Sequence, residues 1–302
     1  VSVLIFVACV AIWSTNWLAI TTQVSATPPL TSLFWRFTIA FVTLVAVERL
    51  RRKPDAECSV PLLASAAVGL LYYFGGVGLT YIAARHLPSA HLACLSVTVV
   101  FFSMAIKRIG YGTSIQSSNV IGAVISTAGL ALFFLDGGGG GSTSLTGLAI
   151  GVASFLCVAI GAAISEFLQK RSRVSSLLIN RNAIGCAALL YLVVALATHT
   201  SLAVPMTASY LGPLLYLAVV CSALVFVLFI ELVGRLGVEY ASYVTFIYPL
   251  AATYLSLVVG ETTLRATMIA GSILVVVGCI VGLKYAKLAT RVSSPLRSGG
   301  SP

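Results

Sequence analysis

Apolar residues run along this chain in long blocks, separated by short polar breaks. A helix needs about 20 mainly apolar residues to cross the hydrocarbon core of a bilayer. Ten blocks approach that length, near residues 1–21, 30–48, 60–84, 88–107, 118–135, 147–169, 174–197, 210–234, 238–259 and 266–286. The breaks between them are short, which makes neighbouring helices antiparallel. The pattern predicts an all-α membrane protein with ten transmembrane helices.

The chain also matches itself. Residues 1–135 lie over residues 146–286, with Cys9-Val10-Ala11-Ile12 recurring as Cys157-Val158-Ala159-Ile160. Arg36 recurs as Arg181, and Gly122 and Gly129 recur as Gly271 and Gly278. Five spans per copy is an odd number, so the second copy is expected to cross the membrane with the opposite orientation. Two inverted five-helix repeats are the architecture of secondary transporters, whose substrate sits at the repeat interface. The expected units are a first repeat over 1–135, a Gly-rich linker over 136–146, a second repeat over 147–286 and a tail over 287–302. The five glycines 137–141 leave the linker nothing to pack with. The Ser, Gly and Pro of the tail point to disorder.

Composition agrees. Apolar residues make up 59% and charged residues 9% of the 302, against about 25% charged in a soluble domain. The net charge of +10 does not imply nucleic acid, because the basic residues cluster beside the apolar blocks, where they set orientation. Of 18 Lys and Arg, 14 fall in the loops and tail on one side, and only Arg85 and Arg265 on the other. The positive-inside rule then places both termini in the cytoplasm. Residues 1–21 lack a basic leader region and read as a true span rather than a cleaved signal. Of the seven cysteines, six lie in apolar blocks and none forms a CxxC pair, so neither a disulfide framework nor a metal site is implied.

Several motifs carry a family resemblance. Leu257-Val258-Val259-Gly260-Glu261-Thr262-Thr263-Leu264 precedes a helix with a Gly271-x6-Gly278 seam. This resembles the end of the EamA-type repeat of the drug/metabolite transporter superfamily. Trp13-Ser14-Thr15-Asn16 and Phe34-Trp35-Arg36-Phe37 resemble that family's first- and second-helix motifs. The resemblance covers about residues 1–286. It implies ten helices in two inverted repeats and gradient-driven movement, often export, of small metabolites. It also places the fourth and ninth helices beside the central cavity. The first repeat departs from the pattern, with no Glu near Tyr111-Gly112-Thr113. Pro249 stands where the first repeat has Val100.

The candidate substrate contacts are Trp13, Asn16, Arg36, Tyr72, His91, Thr98, Arg181, Tyr243, Ile247 and Pro249. Arg36 and Arg181 lie within spans, where an ionised group needs a cavity or a partner. They read either as anion contacts or as arginines that snorkel to headgroups and loop carbonyls. Asn16, Asn180 and Asn182 could bind substrate or join helices. His91, Cys94, Thr98 and Phe102 share one helical face, matched by Tyr240, Tyr243, Ile247 and Ala251 and continued by Tyr254. That face suits a flat or cationic metabolite, or plain packing. Pro249 frees a backbone carbonyl and bends its helix. Glu166 with Lys170 and Glu231 with Arg235 read as i,i+4 surface pairs.

The function expected from the resemblance is a secondary transporter of the inner (plasma) membrane that exports a small metabolite, an amino acid or drug-like amphipathic compound, by alternating access. The second transport reading is an antiporter of phosphorylated sugars or nucleotide-sugars, for which several basic groups must converge. A transport-silent membrane partner or regulatory protein is the reading from another class. An enzyme is disfavoured by the lack of a catalytic constellation. The partners expected are a small-molecule substrate and the lipid bilayer, with no nucleic acid and no cofactor. Gly278 and Gly282 form a GxxxG pair that would suit a homodimer seam.

Overall fold

The structure is a computed structural model that describes residues 1–50, 61–87, 89–112, 114–135, 144–258 and 263–283. Most of the predicted linker, the predicted tail and Glu261 lie outside the described residues.

Among the described residues all regular structure is helical. The helices are α1 (Ser2–Ala26), α2 (Pro29–Leu50), α3 (Leu62–Ala83), α4 (Ser89–Ser96), α5 (Thr98–Tyr111) and α6 (Ser117–Phe134). They continue with α7 (Leu145–Ser172), α8 (Ser176–Ala197), α9 (Ala208–Leu236), α10 (Val238–Ala241), α11 (Val244–Val258) and α12 (Ala266–Leu283). Seven of these, α2, α3, α6, α7, α8, α9 and α12, are long and apolar enough to cross a membrane. Large apolar side chains such as Leu4, Val42, Leu63, Leu189 and Ile280 face outward. In water such a surface would aggregate; in a bilayer it meets lipid.

The fourth and ninth predicted spans are each interrupted. The fourth divides into α4 and α5 at Val97, and the ninth into α10 and α11 at Ser242 and Tyr243. The third and eighth are single helices, each with a wider π-helical segment of nine residues, Gly69–Val77 and Tyr216–Leu224. These segments stand 147 residues apart, so even this distortion repeats. π turns inside longer helices are frequent at functional sites.

Packing is largely between the two halves of the chain. The π segment of α9 packs on α2, and the equivalent segment of α3 packs on α8. Helix α1 packs on α11, while α7 packs on α5. Equivalent spans meet directly as α2 with α8 and α6 with α12, and the two interrupted spans meet crosswise, α5 with α10 and α4 with α11. The α6–α12 contact runs along glycines. A Cβ on Gly278 would lie 2.6 Å from the Gly122 carbonyl oxygen, and one on Gly129 would lie 2.6 Å from the Val275 nitrogen. Gly282 accommodates the Tyr243 hydroxyl. The GxxxG pair expected to suit a homodimer is therefore engaged within the chain, by α6 and by Tyr243 at the α10–α11 break.

All four described carboxylates gather at one end of the bundle. Glu48 of α2 pairs with Arg181 of α8, and Glu231 with Arg235 at 2.8 Å. Lys107 of α5 bridges Glu166 of α7 at 3.3 Å and Glu239 of α10 at 2.8 Å. The Glu166–Lys170 pair, at 2.6 Å, is the one expected from helical spacing; the Lys107 bridge needed the fold. Replacing Lys107 by methionine leaves two largely buried carboxylates without their shared cation. The expected loss of stability is about 2–3 kcal/mol, less than a fully buried pair because Lys107 is partly exposed. Thermal unfolding of the purified variant checks it.

Candidate functional site

A cavity of about 140 Å³ opens between the halves. Helix α1 contributes Trp13, Asn16 and Ile20; α2 contributes Arg36; α3 contributes Tyr72, Val77, Thr80 and Tyr81. Ser96 and Val99, on either side of the α4–α5 break, face it together with Phe155 and Val158 of α7. Phe226 of α9 and Thr245 and Tyr248 of α11 complete the wall. At the repeat offset of 149, Ser96 corresponds to Thr245 and Val99 to Tyr248. The two halves thus present the same positions of their interrupted helices to one space.

Arg36 is the only charged residue in this wall. It is 3% exposed, and its partners are neutral. Nε donates to Ser222 Oγ at 2.8 Å, Nη1 to Tyr81 Oη at 3.0 Å, and Nη2 to the Cys221 carbonyl at 3.4 Å. Two of these acceptors belong to the π segment of α9, where Ser222 Oγ donates on to the Leu217 carbonyl at 2.8 Å. The widened turn is what presents them to α2. Among the described residues no carboxylate pairs with Arg36, since Glu48, Glu166, Glu231 and Glu239 all have other cations. A buried guanidinium held only by dipoles keeps its positive field directed into the cavity.

Much of the rest of the wall is aromatic. The Trp13 ring lies 5.1 Å from Phe229, 6.2 Å from Phe226 and 6.2 Å from Tyr248, centre to centre. Tyr72 stands edge-on to Phe226 at 5.8 Å. Asn16 adds a polar feature: its Oδ1 is buried without a hydrogen-bond partner. Such an oxygen costs free energy unless a donor arrives. Pro249, buried in α11, has no N–H, so the Thr245 carbonyl lacks its helical donor at the cavity wall. The site therefore offers a cation, unmet acceptors and aromatic faces within a small volume.

The sequence-predicted residues divide. Trp13, Asn16, Arg36 and Tyr72 line the cavity together, and Pro249 is one turn from Thr245. Arg181, instead, pairs with Glu48 and is also bonded to Asn182 at 3.0 Å. Tyr243 is fully buried and donates to the Asn119 carbonyl at 2.8 Å, while Ile247 packs in the same cluster beside α6 and α12. The cavity face of α11 is thus the Thr245–Tyr248 face, not the Tyr243–Ile247 face. Thr98 bonds the Leu95 carbonyl at 2.7 Å, and half-buried His91 sits on α4; neither is in the wall. Asn180 accepts from Tyr73 and donates to Ser176, which makes it a link between helices. Tyr81, Ser222, Phe226 and Tyr248 were not singled out from sequence. The repeated third helix held the available signal for the first three.

An all-helical bundle with an apolar exterior and a mostly apolar cavity holding one buried cation fits a multi-pass membrane protein. The chain matches the EamA-like transporter family over residues 1–135 and 145–283, and it belongs to that family. It is 26% identical over 283 residues to the "Uncharacterized transporter YvbV" of Bacillus subtilis (strain 168), spanning 91% of this chain and 89% of that one. A solved crystal structure at 19% identity shares the fold, with a TM-score of 0.78 over 97% of this chain and 99% of that chain.

Proposed function

We propose that the cavity binds a small amphipathic metabolite bearing a carboxylate, such as an amino acid, and that the chain exports it by alternating access. The observation that carries this reading is Arg36, buried at the cavity wall with no acidic partner among the described residues. A substrate carboxylate supplies the missing counter-charge, and the Trp13–Tyr72–Phe226–Tyr248 wall takes an apolar or aromatic side chain. Asn16 Oδ1 accepts from an ammonium or amide on the same molecule.

The architecture that goes with this reading is ten spans in two inverted five-helix repeats, with both termini cytoplasmic in the plasma membrane. The paired π segments, the matched breaks and the reciprocal packing of equivalent helices support it. On that orientation the ionic end is the cytoplasmic end, and the two halves rock about the cavity.

Charge bears on the rival antiporter reading. A phosphate would need Arg36 and Arg181 together, and Arg181 is held by Glu48.

The test is ligand-dependent thermal stability of the purified chain, with a panel of amino acids, amines of matched side chain and sugar phosphates. A ligand at 100 times its dissociation constant stabilises by about 2.7 kcal/mol. Stabilisation is expected from the carboxylate-bearing members and not from the matched amines. An equal response to the amines would overturn the assignment. Trp13→Ala is expected to reduce the response to an aromatic amino acid by about 1 kcal/mol, and to a small aliphatic one by less.

A further inference from the structure

The ionic end holds one unequal group. Lys107 serves two carboxylates, but their surroundings differ. Glu166 also accepts from Lys170 at 2.6 Å and from the Val238 amide at 2.8 Å. Those donors hold its charge. Glu239 has Lys107 as its cation, and its second oxygen, Oε2, is buried without a hydrogen-bond partner. A carboxylate in that position keeps half of its acceptor capacity unmet away from water.

Its place in the fold connects it to the cavity. Glu239 lies on α10, a single turn between α9 and α11. Gly237 enters that turn at φ +94°, where a side chain would be strained and a Cβ would stand 3.2 Å from Lys107 Nζ. Lys107 comes from the first half of the chain, so the Glu239 bridge ties α10 to α5 across the halves. Helix α11, which follows α10, carries Thr245 and Tyr248 of the cavity wall. Movement of α10 therefore moves that wall.

The charged and titratable groups around Glu239 are few. They are Lys107 on α5, Glu166 and Lys170 on α7, and Arg235 on α9, which is held by Glu231. Tyr240, on its own turn, donates to Gln116 at 3.3 Å.

We propose that Glu239 is the site that takes up the coupling proton, and that its neutralisation releases α10 from Lys107 and opens this end of the bundle. The step is a proton addition: carboxylate and proton give carboxylic acid, and Lys107 stays an ammonium and remains with Glu166. Glu239 loses its ionic tie, and the cluster of Lys107, Lys170, Glu166 and Glu239 passes from balanced charge to a net positive charge. Coupling to transport rests on the transporter reading above; the titration and the opening do not.

The test uses the full purified chain and no substrate. Ala241 is fully buried at the end of the same turn. Ala241→Cys is labelled with a water-soluble maleimide, with the unsubstituted chain correcting for native cysteines, and again with Glu239→Gln present. The ratio of the two rates cancels the thiol's own titration. The expected ratio is far below one at neutral pH and rises about tenfold per unit of acidification, as a single titrating carboxylate requires. A ratio near one, or one that does not change with pH, would overturn the proposal.

Infrared titration of the protonated-carboxyl band gives an independent reading. Glu239→Gln is expected to remove one titrating carboxyl; if that variant does not fold, Glu239→Asp shifts the midpoint. A band unchanged in the folded variant sinks the assignment. A negative ligand screen leaves both readouts intact, so failure of the transporter reading and failure of this site are distinguishable.

Discussion

Replacing Arg36 by glutamine is expected to abolish ligand stabilisation and transport while leaving the chain folded and inserted. The reason lies in what the guanidinium touches. Ser222, Tyr81 and the Cys221 carbonyl are neutral acceptors, and a glutamine amide still donates to some of them. Removing the charge also removes the desolvation cost of burying it, so folding loses little. A bound carboxylate loses its counter-charge, which costs about 2–5 kcal/mol, or more than tenfold in affinity. Arg36→Lys keeps the charge but not the fork, and is expected to fall between the two. Thermal stability with and without ligand separates the effects. Lost ligand response with an unchanged ligand-free melting temperature supports the assignment, and a retained response removes Arg36 from the site.

The largest loss of stability is expected from Gly122→Leu. A Cβ on Gly122 would lie 2.5 Å from Gly282 Cα and 2.6 Å from the Gly278 carbonyl oxygen. Both are backbone atoms of α12, so no side chain can turn aside to make room. Helices α6 and α12 would have to separate along their whole contact. Overpacking of a tight core costs about 1–3 kcal/mol when side chains can adjust; here more than about 3 kcal/mol is expected, enough to prevent accumulation of folded protein. Gly110→Leu is the control. A Cβ there meets nothing within 4 Å, and its melting temperature is expected to stay within error of the parent. Equal melting temperatures for both variants would show that the seam is not tight.

Much of this molecule was legible as pattern. Each predicted apolar block contains helix among its described residues, because a chain in lipid has to satisfy its backbone within the segment. Repetition was legible too, down to Gly122 and Gly129 against Gly271 and Gly278. The unequal fates of the two arginines also left a trace. At the offset that relates Arg36 to Arg181, Glu48 falls on Val193. The second half therefore has no equivalent carboxylate to occupy Arg36.

Which face of α11 meets the cavity was not legible. Tyr243 and Tyr248 are both tyrosines in an apolar helix, and composition treats them alike. What separates them is the glycine at 282, which gives Tyr243 a slot against α12, and the break at residues 242–243, which resets the helical phase. Ser222 and Tyr81 were hidden for a similar reason. Ser222 matters only because a π turn in α9 meets α2 where Arg36 enters, and Tyr81 because α3 brings its hydroxyl to the same guanidinium.

By itself the sequence determined that the chain is membrane-bound, helical, duplicated and built around few buried charges. Those properties follow from the number and spacing of apolar residues, which are additive along the chain. Among the described residues, the tertiary structure decided which arginine pairs with a carboxylate, which tyrosine faces the cavity and which glutamates share one lysine. Those are properties of pairs brought together from distant helices, and a pair exists only once the helices have packed.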